Sequence, residues 1–131
     1  MSYHKNILLA TKDNRNFRTV LHTGMKSQLV VMSIPAGGDI GLETHDHVEQ
    51  SLFFLSGSGQ AILDGVKQPI TAGDVLVVTP GTAHNVVNTG SEPLKIYTIY
   101  APANHIDGTV HATKADAEAD LADEEFGHHV R

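Results

Sequence analysis

His45-Asp46-His47 and, further along the chain, His84 with Asn88 are the residues whose types and spacing suggest chemistry. On an extended strand alternate residues share a face, so His45 and His47 are expected to point the same way. A two-residue reversal at Val48-Glu49 would set Gln50 opposite His47 on that face and add an amide oxygen to the two imidazoles. His84 follows the Pro80-Gly81 turn and would bring a third imidazole from a distant strand. Three imidazoles and one oxygen on rigid strands form a donor set for one divalent transition metal with an open position. Zinc, iron, nickel, manganese and copper are all candidates, because these donors do not choose among them. Glu43 shares strand parity with His45 and is a candidate general base; Tyr97 is a candidate proton shuttle. The competing reading of each residue is a polar side chain on a solvated strand surface.

These side chains need rigid elements to hold them, and the chain reads as a series of short strands. Arg18–Leu21, Gln28–Ile34, Leu42–His47, Ser51–Leu55, Gln60–Leu63, Val66–Ile70, Val75–Thr79, Ala83–Val87 and Leu94–Tyr100 are the expected strands. Asp64-Gly65 between alternating apolar residues predicts a tight hairpin, and Pro80-Gly81 and Asn88–Ser91 predict further turns. Many short strands with frequent turns predict an all-β sandwich or small barrel and not a parallel α/β sheet. Met1 to Phe17 gives little signal. Ala101 to Gly108 reads as a loop, and Thr113 to Phe126 as a short acidic helix, with Thr113 and Asp116 in an N-cap arrangement. Only Leu121 and Phe126 offer that helix much apolar area, so a loosely docked or frayed tail is expected.

At 131 residues the chain has the size of one domain and can bury a core without staples. It has no cysteine, which rules out disulfides and thiolate metal sites. Net charge is −6, with six acids between Asp116 and Glu125 against Lys114 and Arg131. No basic stripe exists, which argues against nucleic acid or an anionic membrane as partner. No apolar run approaches bilayer length and no basic-then-apolar leader is read, so a cytoplasmic protein is expected.

The residues resemble two motifs of the cupin family. Gly38 or Gly41, His45, His47, Gln50 and Gly57 resemble the first; Gly73, Pro80, Gly81, His84 and Asn88 resemble the second. The likeness runs from about Gln28 to Tyr100, and the paired motifs in order are specific. Phe17–Leu21, Ser27–Ser33, Leu94–Pro102 and His105–His111 further resemble small bacterial cupins of the mannose-6-phosphate isomerase-like kind. The resemblance implies a jelly-roll barrel, a double-stranded β-helix, around one metal site, with a short C-terminal helix. It divides the chain into an N-terminal segment with an edge strand (1–27), the barrel (28–102), and a loop with an acidic helix or tail (103–131). Three departures stand out. Gln50 replaces the motif glutamate, with Glu49 beside it as the alternative ligand. The gap from His47 to Gln50 is short, and the proline comes one place late.

Three neutral imidazoles and an amide would leave the full divalent charge on the metal. That centre would favour an anionic or enolisable oxygen ligand such as a sugar acid, keto acid or sugar phosphate. Three functions follow: a Lewis-acid isomerase or lyase acting on a small oxygenated metabolite such as a sugar derivative, a metal-dependent dioxygenase, and a non-catalytic carbohydrate- or metabolite-binding module. Phe54 and Tyr100 are candidate pocket residues, as are His105 and His111 on the loop at the barrel mouth. Arg18 could grip a carboxylate or phosphate, against its reading as a solvated strand-edge arginine. His4, His22, His128 and His129 read as surface residues. A homodimer is expected through the backbone of Arg18–Leu21 or Gln28–Ile34.

Overall fold

Along Leu94–Ala101 the residues Leu94, Ile96, Thr98 and Tyr100 are buried and those between them are not. This is the period-two pattern of a strand with one face on the core. The computed structural model describes residues 1–128, so His129 lies outside the described residues. In chain order the elements are α1 (Ile7–Asp13), β1 (Arg18–Thr23), β2 (Gln28–Ile34), β3 (Glu49–Ser56), β4 (Ser58–Leu63), β5 (Val66–Thr71), β6 (Val75–Val78), β7 (His84–Val87), β8 (Leu94–Ala101), β9 (Val110–His111), α2 (Lys114–Ala119) and α3 (Leu121–His128). A six-stranded sheet in the order β6-β3-β8-β2-β1-β9 joins a three-stranded one in the order β5-β4-β7, with every pairing antiparallel. Phe17, Val20, Met32, Leu52, Phe54, Val86 and Ile96 belong to the single apolar cluster that forms the core. The all-β jelly roll with short C-terminal helices is thus the fold.

Two glycines set local geometry. The Asp64-Gly65 hairpin forms as predicted, with φ of 47° and 83°, the left-handed pair that a two-residue turn demands. Gly59 allows β4 to approach β7: a Cβ there would lie 2.3 Å from the Val87 carbonyl oxygen.

The structure departs from the sequence expectation in four places. The N-terminal stretch forms α1, capped by the Asn6 side chain, which accepts from Leu9 N at 3.1 Å. Its Leu8 and Leu9 are exposed, so no apolar periodicity announces it. Leu42–His47 is not a strand: only Glu43 forms a bridge, to His84, and the chain bends at Asp46 and His47. Val48-Glu49 is accordingly not a reversal but the entry to β3. The acidic segment divides at Asp120 into α2 and α3. Thr113 does cap α2, in a reciprocal capping box with Asp116.

The fourth departure concerns sheet edges. β2 is paired on both sides, by β1 and β8, and β1 is covered at Arg18 and Thr19 by β9. The six-stranded sheet ends on β6 and β9. Neither strand expected at a dimer interface is therefore a fully open edge. Among the described residues no helix is long and apolar enough to cross a membrane.

Candidate functional site

Glu43 and His84 exchange both backbone bonds, Glu43 N to His84 O and His84 N to Glu43 O, each 2.9 Å. Opposed residues of such a pair project their side chains to the same face. His45 lies two residues beyond Glu43, and its carbonyl accepts from Gly81 N at 2.8 Å. That bond ties the first loop to the turn preceding His84. As a result, Glu43, His45 and His84 each offer a ligand atom, all within 4.8 Å of one another. The two imidazole rings are 5.1 Å apart, and His45 Nε2 sits 3.0 Å from Glu43 Oε2. Buried His45 Nε2 nevertheless has no partner in hydrogen-bond geometry among the described residues. Close approach without that geometry is what two donors converging on a shared point would show.

Neighbouring bonds fix how these groups present themselves. His84 Nδ1 lies 2.9 Å from the Thr82 carbonyl, to which it donates, leaving the Nε2 lone pair free. Gln50 is buried and its Nε2 donates to Thr98 Oγ1 at 3.1 Å, while Thr98 donates its own proton to Ser51 O at 2.9 Å. Since that hydroxyl has only one proton, the Gln50 nitrogen must face it, and the amide oxygen is the end left over. Burial pushes the Glu43 carboxyl up, but the contact with His45 and the nearby Arg18 charge outweigh it and hold the group below its ordinary value. Burial holds the His84 imidazole below its ordinary value, in its neutral form. Burial also pushes the Tyr100 phenol well up, so it stays protonated. Tyr100 packs edge-on against both His45 and His105, with centroids 6.3 and 5.0 Å away.

The other expected site residues fall elsewhere. His47 is exposed and outside the cluster, because the bend at Asp46 and His47 breaks the strand parity that would have aligned it with His45. Glu49 is exposed on β3, opposite Ala101. Tyr97 stacks on Phe53 with centroids 4.8 Å apart and 6° between planes, on the sheet face opposite to Tyr100. Phe54 is core.

His105, His111 and Arg18 are all buried, and two of them are held by the C-terminal helices. Arg18 Nη1 lies 3.2 Å from His111 Nδ1, and His111 Nε2 lies 2.9 Å from Asp120 Oδ2. An arginine can only donate, so His111 accepts at Nδ1 and donates from Nε2. His111, Asp120 and Asp123 lie close together, the first two paired in this relay. His105 Nδ1 sits 2.8 Å from Asp123 Oδ2, and Asp123 also accepts from Ile106 N at 2.7 Å. Arg18 is thus not a solvated strand-edge residue. A cavity of about 680 Å³ is bordered by Glu43, His45, Arg18, His105 and Asp123.

Arg18, Thr98, Asp120 and Asp123 went unread as contributors to these contacts, and Glu43 was read only as a base. The signals were present: Glu43-x-His45 keeps the parity that His45-x-His47 loses, Thr98 is an inward position of β8, and Asp120 and Asp123 have helix-start spacing.

Residues 30–100 match the family model of the cupin domain, and the chain belongs to the cupin family. It is similar to BH2720 from Bacillus halodurans, whose crystal structure superposes with a TM-score of 0.89 at 42% identity, covering 91% of this chain and 95% of that one. It is 48% identical over 120 residues to YrkC of Bacillus subtilis, which covers 87% of this chain. The chain spans 64% of that relative's length, just under two thirds. The crystal structure of a predicted oxalate decarboxylase from Thermotoga maritima superposes with a TM-score of 0.57 at 29% identity, over 60% of this chain and 69% of that one.

Proposed function

We propose that this cupin holds one divalent transition metal through Glu43, His45 and His84, with the Gln50 amide oxygen as fourth donor, and that it acts on a small oxygenated, anionic metabolite. The observation carrying this reading is the convergence of a carboxylate and two imidazoles within 4.8 Å, together with a buried His45 nitrogen that lies 3.0 Å from the Glu43 carboxylate but makes no bond of hydrogen-bond geometry among the described residues. The donors suit a metal chemically: an ionised carboxylate and a neutral imidazole with its lone pair directed inward. With Glu43 in the set, one of the two metal charges is offset, so the centre is less cationic than an all-neutral set would give.

A metal bound there would supply Lewis-acid polarisation of a substrate oxygen, suited to an isomerase or lyase step on a sugar derivative. The chain itself supplies the rest. Gln50 is oriented by Thr98, and Tyr100 packs beside His45 with an un-ionised phenol. Thermotoga maritima's predicted oxalate decarboxylase supports a small oxygen-rich acid as the kind of ligand. A second reading, an oxygen-dependent dioxygenase, draws support from the same donor set, since two histidines and one carboxylate also suit non-haem iron.

The test is elemental analysis of protein purified without added metal, on the wild type and on His84→Ala, Glu43→Gln and His47→Ala. We expect near-stoichiometric metal in the wild type and in His47→Ala, and loss in the other two. A metal-free wild type that cannot be reloaded, or equal loss in His47→Ala and His84→Ala, would overturn the assignment. Oxygen uptake upon substrate addition separates the dioxygenase reading from the Lewis-acid one.

A further inference from the structure

Besides His45 Nε2, three buried polar atoms of this cavity's border have no hydrogen-bond partner among the described residues: Arg18 Nε, His105 Nε2 and Asn104 Oδ1. Orphaned buried polar groups are costly, and each calls for an explanation. Asn104 Oδ1 faces Gly127, where an added Cβ would come within 3.1 Å of it. The other two belong to side chains that are 5% and 6% exposed and are fixed from behind.

Their chemistry is complementary and specific. Arg18 is anchored through Nη1 to His111, and the Tyr100 hydroxyl borders its guanidinium. Its Nε–H is left as an unused, permanently cationic donor. His105 directs Nδ1 at the ionised Asp123, so its proton resides on Nδ1 and its Nε2 is a bare acceptor. The two do not bond each other. A donor carrying positive charge beside an acceptor matches a ligand with an anionic oxygen and, adjacent to it, a hydroxyl proton. Both residues border the same cavity as Glu43 and His45, and the Arg18 charge is felt at Glu43.

We propose that Arg18 and His105 form the recognition end of the site for a hydroxy carboxylic acid, with the carboxylate on Arg18 Nε–H and a hydroxyl donating to His105 Nε2. This inference rests on the proposed function in that the acid's other oxygens face Glu43, His45 and His84. A carboxylate alone leaves His105 unpaired, and a neutral polyol leaves Arg18 unpaired. The class is therefore a hydroxylated acid and not a simple fatty acid or a free sugar. Asp120 and Asp123 act as positioning residues, through His111 and directly.

Three six-carbon probes separate these contributions: D-gluconate, D-glucitol, which lacks the carboxylate, and hexanoate, which lacks the hydroxyls. Each is titrated calorimetrically into nickel-loaded and chelator-stripped protein. We expect gluconate to bind, and glucitol and hexanoate each to bind roughly 10- to 100-fold more weakly, the range for losing one charge-assisted bond. Arg18→Met should remove the gluconate-over-glucitol preference. If Arg18→Met fails to fold by circular dichroism, Arg18→Lys and the wild-type probe comparison decide. Stoichiometric nickel with gluconate and glucitol bound alike, or with gluconate not bound, overturns this inference and leaves the metal reading standing. Discrimination between the probes in protein that takes up no nickel upholds the subsite and sinks the metal reading.

Discussion

Asp123→Ala tests whether the C-terminal helices are structurally part of the barrel. The carboxylate is buried and accepts from Ile106 N at 2.7 Å and His105 Nδ1 at 2.8 Å. Alanine leaves the buried His105 donor without an acceptor, at about 1–3 kcal/mol, and the part-buried Ile106 N–H with a smaller penalty, so the variant should lose roughly 2–4 kcal/mol. In a domain of this size that corresponds to a fall in Tm on the order of 10 °C. Urea and thermal denaturation at neutral pH read the loss, and one below about 0.5 kcal/mol would refute a structural role for the pair. The pH dependence provides a second check. Burial raises the Asp123 carboxyl, but the bonds from His105 and Ile106 and the Arg18 charge outweigh it, so the group lies below its ordinary 3.8. As pH falls the unfolded chain takes up this proton first. The contribution is therefore complete above 3.8 and is lost as pH drops through the folded value. Burial also holds His105 below its ordinary 6.5, so its own loss starts near that value and runs in the same direction. The wild type's advantage over Asp123→Ala should narrow below about pH 4. An advantage that persists unchanged through strong acid would refute the assignment.

Two further outcomes can be checked independently of any ligand. Gly59→Ala places a Cβ 2.3 Å from the Val87 carbonyl, against backbone that cannot give way locally, and should cost about 3 kcal/mol or more in urea unfolding. Gly65→Ala meets no atom within 4 Å and incurs only the left-handed strain of its φ of 83°, about 1–2 kcal/mol; equal costs would contradict the steric account. We also propose that the chain is a homodimer through the outer face of the six-stranded sheet, where Val77, Ser51 and Ile99 are aligned across β6, β3 and β8 beside Val75, Phe53 and Tyr97. Val75, Val77 and Ile99 are exposed there. Light scattering should give a dimer at micromolar concentration and a monomer for Val77→Lys; a monomeric wild type would remove the proposal.

The barrel was legible because its strands alternate and its turns are marked by residues such as Asp64-Gly65, signals that depend only on neighbouring positions. His84 was legible for the same reason, since the Pro80-Gly81 turn fixes its place on the following strand. His47 does not join the cluster of Glu43, His45 and His84 because parity holds only while a strand lasts, and nothing local announces that the chain bends at Asp46. Glu43 owes its place beside His84 to a backbone pairing with a partner remote in sequence. Helix α1 gave no signal because its leucines face outward. Arg18 and Asp123 looked like surface charges, since their partners His111 and His105 are reached only after the chain has returned across the barrel.

The ties from Asp120 and Asp123 separate the unit of kinship from the unit of chemistry. The stretch shared with the cupin family, residues 30–100, contains Glu43, His45, Gln50 and His84. Arg18 precedes it, and His105, His111 and both aspartates follow it. The family model thus covers the inner cluster and not the surrounding wall, while the similarity to BH2720 extends over 91% of this chain. An acidic tail that reads as loosely docked is, on this view, where such a barrel would acquire a new preference without touching its strands.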